Sequence, residues 1–463
     1  MNHSIENLFN ARSVAIVGAS ASPGKRGHII LRNLIEGGFT GGIFPINPSA
    51  DAILGKKSYP NLGAIREPVD LIVVCIPAAG VPALIREAGR HGVKGAIVIS
   101  GGFREIGNLQ LEGELYRAGQ ESGVRIIGPN CQGINYTPNH LCASWPLIRT
   151  QGSMAIISQS GTIGAALAEW AEEDGIGFSA FVSLGNRLDV NESELVEFFA
   201  RDPATRSIAL YLEGVKDGRA FMAQLKQATA MKPVVVLKAG RTARGREAAQ
   251  SHTKSVAGDD AVFDAACKQS GARKAESITE LYDAAKAGGM LPTLDSSLLI
   301  ITSSGGSGIL ATDAAESNGM HVPALEPEVK DALAEALPSQ CILGNPLDLT
   351  GDTDAERYAI AARIAAHWNV ASNLLLIFGD PIPEAGKMVD QLRREIPQQI
   401  IVSYLGGGEE GKIESRKLLD LGVATFPTPE RAVKAICTLR RERKDYSEKE
   451  FIISKTMPKE DLL

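Results

Sequence analysis

Short runs of β-branched and aliphatic residues alternate with longer helical stretches along almost all of this chain, and no other feature limits its fold so sharply. The first runs cover residues 13–17, 43–46, 71–76, 96–99 and 125–127, with helical patterns such as 28–36 and 81–91 between them. Spacing of that kind builds βαβ units, in which parallel strands are joined through a helix. Five strands by residue 130 predict a doubly wound, Rossmann-like α/β domain over residues 1–135.

A second αβ set opens at 153–157 and continues through 178–182, 207–212 and 234–237, predicting a domain over 150–291. A third runs through 297–302, 374–378, 399–402 and 424–426, predicting one over 296–440. Residues 135–150, with Pro138 and Pro146, read as an irregular linker, and 441–463 as a charged surface tail. Three domains suit 463 residues at about 150 residues each. Sets two and three open alike: the apolar run 154–157 leads into Ser158-Gln159-Ser160-Gly161, and 298–301 into Thr302-Ser303-Ser304-Gly305-Gly306. That likeness reads as a duplicated architecture.

The formal net charge of -6 leaves no overall basic surface, which disfavours nucleic acid as the main partner. The six cysteines are scattered and form no C-x-x-C pair, so zinc spacing and a disulfide framework are both lacking and no metal site is expected. No run approaches the 18 apolar residues of a membrane span, and Glu6 and Arg12 interrupt any secretory leader. A cytoplasmic protein is the expectation.

Where chemistry could lie is set by strand ends, because open α/β sheets bind ligands outside the carboxyl ends of their strands. After the first strand comes Gly18-Ala19-Ser20-Ala21-Ser22-Pro23-Gly24-Lys25-Arg26-Gly27. Its glycines allow close backbone approach, and the helix that follows favours a phosphate at its start. The spacing is neither G-x-G-x-x-G nor a P-loop. The second strand ends at Asn47, where a dinucleotide fold would place an acid on the ribose hydroxyls. Lys25, Arg26, Lys56 and Lys57 offer cations instead, which suits a ligand with more phosphate and disfavours NAD. Ile76 and Pro77, Ser100 to Phe103, and Asn130 and Cys131 in Gly128-Pro129-Asn130-Cys131-Gln132-Gly133 close the other strands. Cys131 reads either as a nucleophile or, better, as a small buried thiol.

The matched loops Ser158, Gln159, Ser160, Gly161 and Ser304, Gly305, Gly306, Ser307 present free N–H groups and hydroxyls at two helix starts. Either alone reads as ordinary N-capping. Both together, aimed at one spot, would cradle a phosphoryl group through backbone donors and helix dipoles. Between 234–237 and a helix from Asp259 lies a loop-like stretch with Lys238, Arg241, Arg244 and Arg246, then Ser251-His252-Thr253-Lys254. His252 reads either as a solvated bystander or as a phosphoryl carrier, which needs one imidazole nitrogen free and the other held. Glu213, ending a strand of the same domain, is placed to hold it.

Gly18-Ala19-Ser20 with Pro23-Gly24-Lys25, Gly128-Pro129-Asn130-Cys131, Ser158-Gln159-Ser160-Gly161, Leu212-Glu213-Gly214 and Ser251-His252-Thr253 together resemble the α-subunits of ADP-forming acyl-CoA synthetases, relatives of the succinyl-CoA synthetase α-subunit. The resemblance spans about residues 5–440. It implies a CoA-binding Rossmann-like domain followed by two flavodoxin-like domains, phosphorylation of His252 and a hydrogen bond that Glu213 accepts from it. It implies that Gly18, Ser20, Ser22, Pro23, Gly24, Lys25, Asn47, Lys56, Ile76, Pro77, Asn130 and Cys131 meet CoA. It also implies reversible conversion of acyl-CoA, ADP and phosphate into acid, CoA and ATP through an acyl phosphate. Lys254 departs from the glycine common in such sequences. No ATP-grasp region follows residue 440, so ATP or ADP and Mg2+ are expected on a separate ATP-grasp β-subunit in an α2β2 heterotetramer. Two other readings stand beside this one: a non-catalytic CoA-binding regulatory paralogue, and an NAD(P)-dependent oxidoreductase, which would leave the serine–glycine loops and His252 idle.

Overall fold

The computed structural model describes residues 4–253, 259–292 and 296–439, with the side chains of 250–253 excepted. The tail 441–463, and Lys254 with the four residues after it, lie outside the described residues. Three doubly wound sheets follow one another along the chain. The first is parallel, in the spatial order Gly42–Ile46, Ser13–Val17, Leu71–Val74, Gly95–Val98, Arg125–Ile127. Every residue of Ser13–Val17 is buried, as a strand covered by helices on both faces requires. Counted along the chain, the order is 2-1-3-4-5, so the crevice where the connections reverse lies between Ser13–Val17 and Leu71–Val74.

The second sheet corrects the linker expected at 135–150. Gly133–Tyr136 and Leu141–Ser144 form an antiparallel hairpin on the edge strand Phe178–Ser183. All eight hairpin residues are buried. Each strand is too short to show a period, and Thr137-Pro138-Asn139 between them has loop composition because it is the turn. From there the sheet is parallel, through Phe178–Ser183, Gln151–Ser158, Ser207–Leu212, Val234–Lys238 and the short Arg273–Lys274. The third sheet is parallel throughout, in the order Leu347–Asp348, Leu298–Thr302, Asn373–Phe378, Gln399–Tyr404, Ala424–Phe426.

Residues 186–190 run beside the last strand of the first sheet, with Leu188 N–H donating to Gly128 O (2.9 Å) and Val190 N–H to Ile126 O (3.1 Å). Arg125 pairs there with Asp189 (2.9 Å) and Glu194 (2.7 Å). The third sheet is fastened through helix Ile278–Met290 against helix Pro429–Leu439. Asp283, 3% exposed, accepts two hydrogen bonds from Arg431 (2.7 and 2.8 Å). Ala287 and Leu291 share an apolar cluster with Ala432, Val433 and Ile436.

Candidate active site

The crevice of the first sheet is built by glycine. Gly18 leaves strand Ser13–Val17 at φ 90°, and a Cβ there would stand 2.6 Å from Cys75 O. Gly27, in the first turn of helix Arg26–Glu36, is closer still: a Cβ would lie 2.1 Å from Gly18 O. The helix start therefore presses directly onto the turn. Its cap residue Lys25 supplies no capping side chain, and Ser22, Pro23, Gly24, Lys25 and Arg26 are exposed. A bare helix start flanked by two cations fits an anionic ligand. Ser20 contributes its hydroxyl to Ser22 N–H (3.1 Å) and its carbonyl to His28 Nδ1 (2.9 Å), so it shapes the turn.

Asn47 donates from Nδ2 to Ala19 O (2.8 Å), joining the ends of strands one and two. Ile76 and Pro77 sit across the crevice, since Cys75 N–H donates to Val17 O (2.8 Å). Lys56 is exposed on a small hairpin, Ala52–Ile53 with Lys56–Lys57. Asn130 is exposed at φ 58°, with its Oδ1 3.3 Å from where a Cβ on Gly101 would lie. Cys131 points inward. Its Sγ donates to Val98 O (3.3 Å), and burial pushes the thiol up to about 12, so the neutral form prevails and the nucleophile reading loses its basis.

Helix Gly161–Asp174 begins where strand Gln151–Ser158 ends. Ser160 caps it, accepting from Ile163 N–H (3.4 Å). Ser158 is fully buried, and its hydroxyl donates to Ser160 O (2.5 Å), which holds the loop in shape. Gln159 ties this loop to the next strand end: its Oε1 accepts from the N–H groups of Glu213 (2.7 Å) and Gly214 (3.1 Å), and its Nε2 donates to Gly214 O (2.8 Å). Glu213 is 7% exposed. Burial, and then the Glu213 charge, push Tyr211 up to about 12.

The second helix start is built differently. Ser304 N–H donates to Thr302 Oγ1 (2.9 Å), and Ser307, buried, donates to Ser304 Oγ (3.0 Å). Gly305 and Gly306 are exposed. A Cβ on Gly305 would lie 2.7 Å from Asp348 Oδ2, so a carboxylate already stands at this helix start. Sequence reasoning missed Asp348, because it comes from a two-residue strand more than forty positions away.

The histidine segment also differs from expectation. Residues expected as a loop form helix Ala243–Thr253, with His252 next to its last position; the His252 side chain lies outside the described residues. Nor are the cations of this segment a bare phosphate patch. Lys238 is buried, its ammonium depressed by desolvation and bonded to Ala239 O (3.2 Å). Arg241 pairs with Glu276 (3.4 Å), Arg244 with Glu247 (2.9 Å) and Arg246 with Asp259 (4.0 Å). The segment leaves the sheet beside Glu213, since Ala239 N–H donates to Leu212 O (2.8 Å).

Among the described residues no group of His, Cys, Asp or Glu could hold a metal ion, and no helix is long and apolar enough to cross a membrane. Residues 12–137 match the CoA binding domain family, 151–288 the succinyl-CoA ligase like flavodoxin domain and 298–441 the Ligase-CoA domain. The alpha subunit of ADP-forming acetate–CoA ligase I from Pyrococcus furiosus is 41% identical over 94% of this chain and 97% of its own length. The ADP-forming acetate–CoA ligase I of Archaeoglobus fulgidus is 38% identical over 99% of this chain, which spans 65% of that protein. A dinucleotide-forming acetyl-coenzyme A synthetase 1 from Ca. Korarchaeum cryptofilum, solved with phosphate and ADP, is 36% identical. It superposes with a TM-score of 0.88 over 94% of this chain and 96% of that one. With its three domains thus matched, the chain belongs to the ADP-forming acyl-CoA synthetases, as an α-subunit.

Proposed function

We propose that this α-subunit interconverts acyl-CoA, ADP and phosphate with a carboxylic acid, CoA and ATP, and that His252 carries the phosphoryl group between two sites. One observation supports this most. Gln159 joins the start of helix Gly161–Asp174 to Glu213, and the chain leading to His252 departs from the same place through Ala239. The start of helix Gly161–Asp174, a buried carboxylate and the root of the histidine segment thus lie at the same end of three neighbouring strands.

In the ATP-forming direction a phosphate oxygen bonds to the thioester carbon, the carbon–sulfur bond breaks, and the proton of HPO4²⁻ passes to the leaving thiolate. The imidazole of His252 then takes the phosphoryl group and releases the carboxylate, with Glu213 holding the other ring nitrogen. Amides at Gly161, Gly305 and Gly306 stabilise the transferring group. Ser158, Gln159 and Ser307 shape these loops, while Ser160 and Ser304 line them. Gly18, Ser20, Ser22, Pro23, Gly24, Lys25, Asn47, Lys56, Ile76, Pro77, Asn130 and the Cys131 backbone frame CoA. Asn47, committed to Ala19 O, leaves no carboxylate for a ribose at the second strand end, which counts against an NAD(P) oxidoreductase.

ADP and Mg2+ are assigned to an ATP-grasp β-subunit in a cytoplasmic α2β2 assembly. The acid is a small one such as acetate, which the P. furiosus relative names. The test is labelled ATP with Mg2+ and the β-subunit. Acid-labile, alkali-stable label should appear on the α-subunit, vanish in His252→Ala and fall about 100-fold in rate in Glu213→Gln. Label that survives His252→Ala removes the carrier role. Tight NAD(H) binding without CoA binding would favour the oxidoreductase.

A further inference from the structure

Gln132 follows the loop 128–131 directly. Its backbone is fixed on both sides: its N–H donates to Ser183 Oγ (2.9 Å), and its carbonyl accepts from Trp145 N–H (3.0 Å). The Trp145 ring in turn carries the Arg26 guanidinium 4.1 Å from its centroid, at the start of the first-domain helix. The Gln132 side chain crosses the start of the other helix. A Cβ on Gly161 would stand 2.6 Å from Gln132 Cγ and Cδ and 2.7 Å from Nε2. One residue therefore spans the distance between the CoA loops and the phosphate helix.

Its amide is not self-satisfied. Oε1 is buried without a hydrogen-bond partner among the described residues. Buried amide atoms are nearly always paired, and an exception at a ligand site is explained when the ligand completes it. The amide has both a donor and an acceptor end and presents either by rotation about its last torsion.

We propose that Gln132 positions the acyl group during its passage from sulfur to phosphate. This rests on the acyl-CoA synthetase reading. As the phosphate–carbon bond forms and the carbon–sulfur bond breaks, the thioester carbonyl oxygen gains negative charge. With the amide turned about its last torsion, Nε2–H of Gln132 takes the position at which Oε1 lacks a partner and donates to that oxygen beside the amides of the helix start. The side chain also fills the space against Gly161, which favours a small acyl group.

The test uses the α-subunit in complex with its β-subunit and two routes to His252 label. Acetyl-CoA with labelled phosphate requires acyl transfer; labelled ATP with Mg2+ does not. Gln132→Met, of similar length but without the amide, should slow the first route about 100-fold in kcat, leaving KM for acetyl-CoA and the ATP route unchanged. Gln132→Asn, which keeps an amide one methylene short, should show the same selectivity if the methionine variant fails to fold. An unchanged acetyl-CoA route overturns the proposal, as does an equal loss in both routes. An unsubstituted complex that labels by neither route removes the synthetase reading itself, and the Gln132 role with it.

Discussion

At the scale of the residue, small side chains do the most. Gly27 admits no Cβ, because the Gly18 carbonyl would lie 2.1 Å away and is backbone that cannot swing aside. Gly27→Ala should cost about 1–3 kcal/mol, the usual range for overpacking, and weaken CoA binding measured by calorimetry. Cys131 makes the opposite case. With its thiol held near 12 by burial, Cys131→Ala should retain phosphohistidine labelling, and iodoacetamide should modify it slowly in the folded protein. Gly18, Lys25 and Glu213 are legible as candidates because each follows a strand that the local pattern reveals, and His252 because of the Ser251-His252-Thr253 motif. Gln132 and Asp348 were not, since what distinguishes them is the distant glycine each one touches.

At the scale of the element, the two helix starts look alike in sequence and differ in structure. One abuts the neutral amide of Gln132, the other the carboxylate of Asp348. A carboxylate favours the positive helix end but repels a phosphoryl dianion arriving there. Asp348→Asn should therefore tighten inorganic phosphate binding, measured by calorimetry on the complex, while lowering thermal stability. Gln159→Leu should separate the loop 158–161 from the Glu213 strand end by removing three hydrogen bonds, and on the proposed mechanism slow His252 labelling at unchanged secondary structure. The long parallel strands are legible in the sequence to within a few residues of their ends. The hairpin Gly133–Tyr136 and Leu141–Ser144 reads as a linker in the sequence, because only pairing with Phe178–Ser183 makes strands of it.

At the scale of the whole molecule, charged contacts hold the sheets in register. Arg431→Met would strand the Asp283 carboxylate at 3% exposure, at a cost toward the lower end of about 3–5 kcal/mol since Arg431 keeps a wet side. Two separated unfolding transitions by calorimetry would mark the loosened third sheet. Glu105 clasps the first two sheets, accepting from Phe103 N–H (3.1 Å) and Asn186 Nδ2 (2.7 Å) and bonding to Gly102 N–H. Burial acts to raise its pKa, but these donors outweigh it and leave the carboxyl below its ordinary 4.5. Its contribution is thus fully present above pH 4.5 and is lost as pH falls through the lowered value. Glu105→Gln should flatten that acid limb in a melting series. The alternation of buried strands with helices was enough, by itself, to determine three α/β layers and the strand ends where ligands would sit, because periodicity and turn chemistry are local. Which loops meet, that the basic stretch is largely paired, that the histidine segment is helical and that the two helix starts face unlike neighbours were decided only by the tertiary structure. Those are contacts between residues far apart in the chain, and their energies exist only once the sheets have closed.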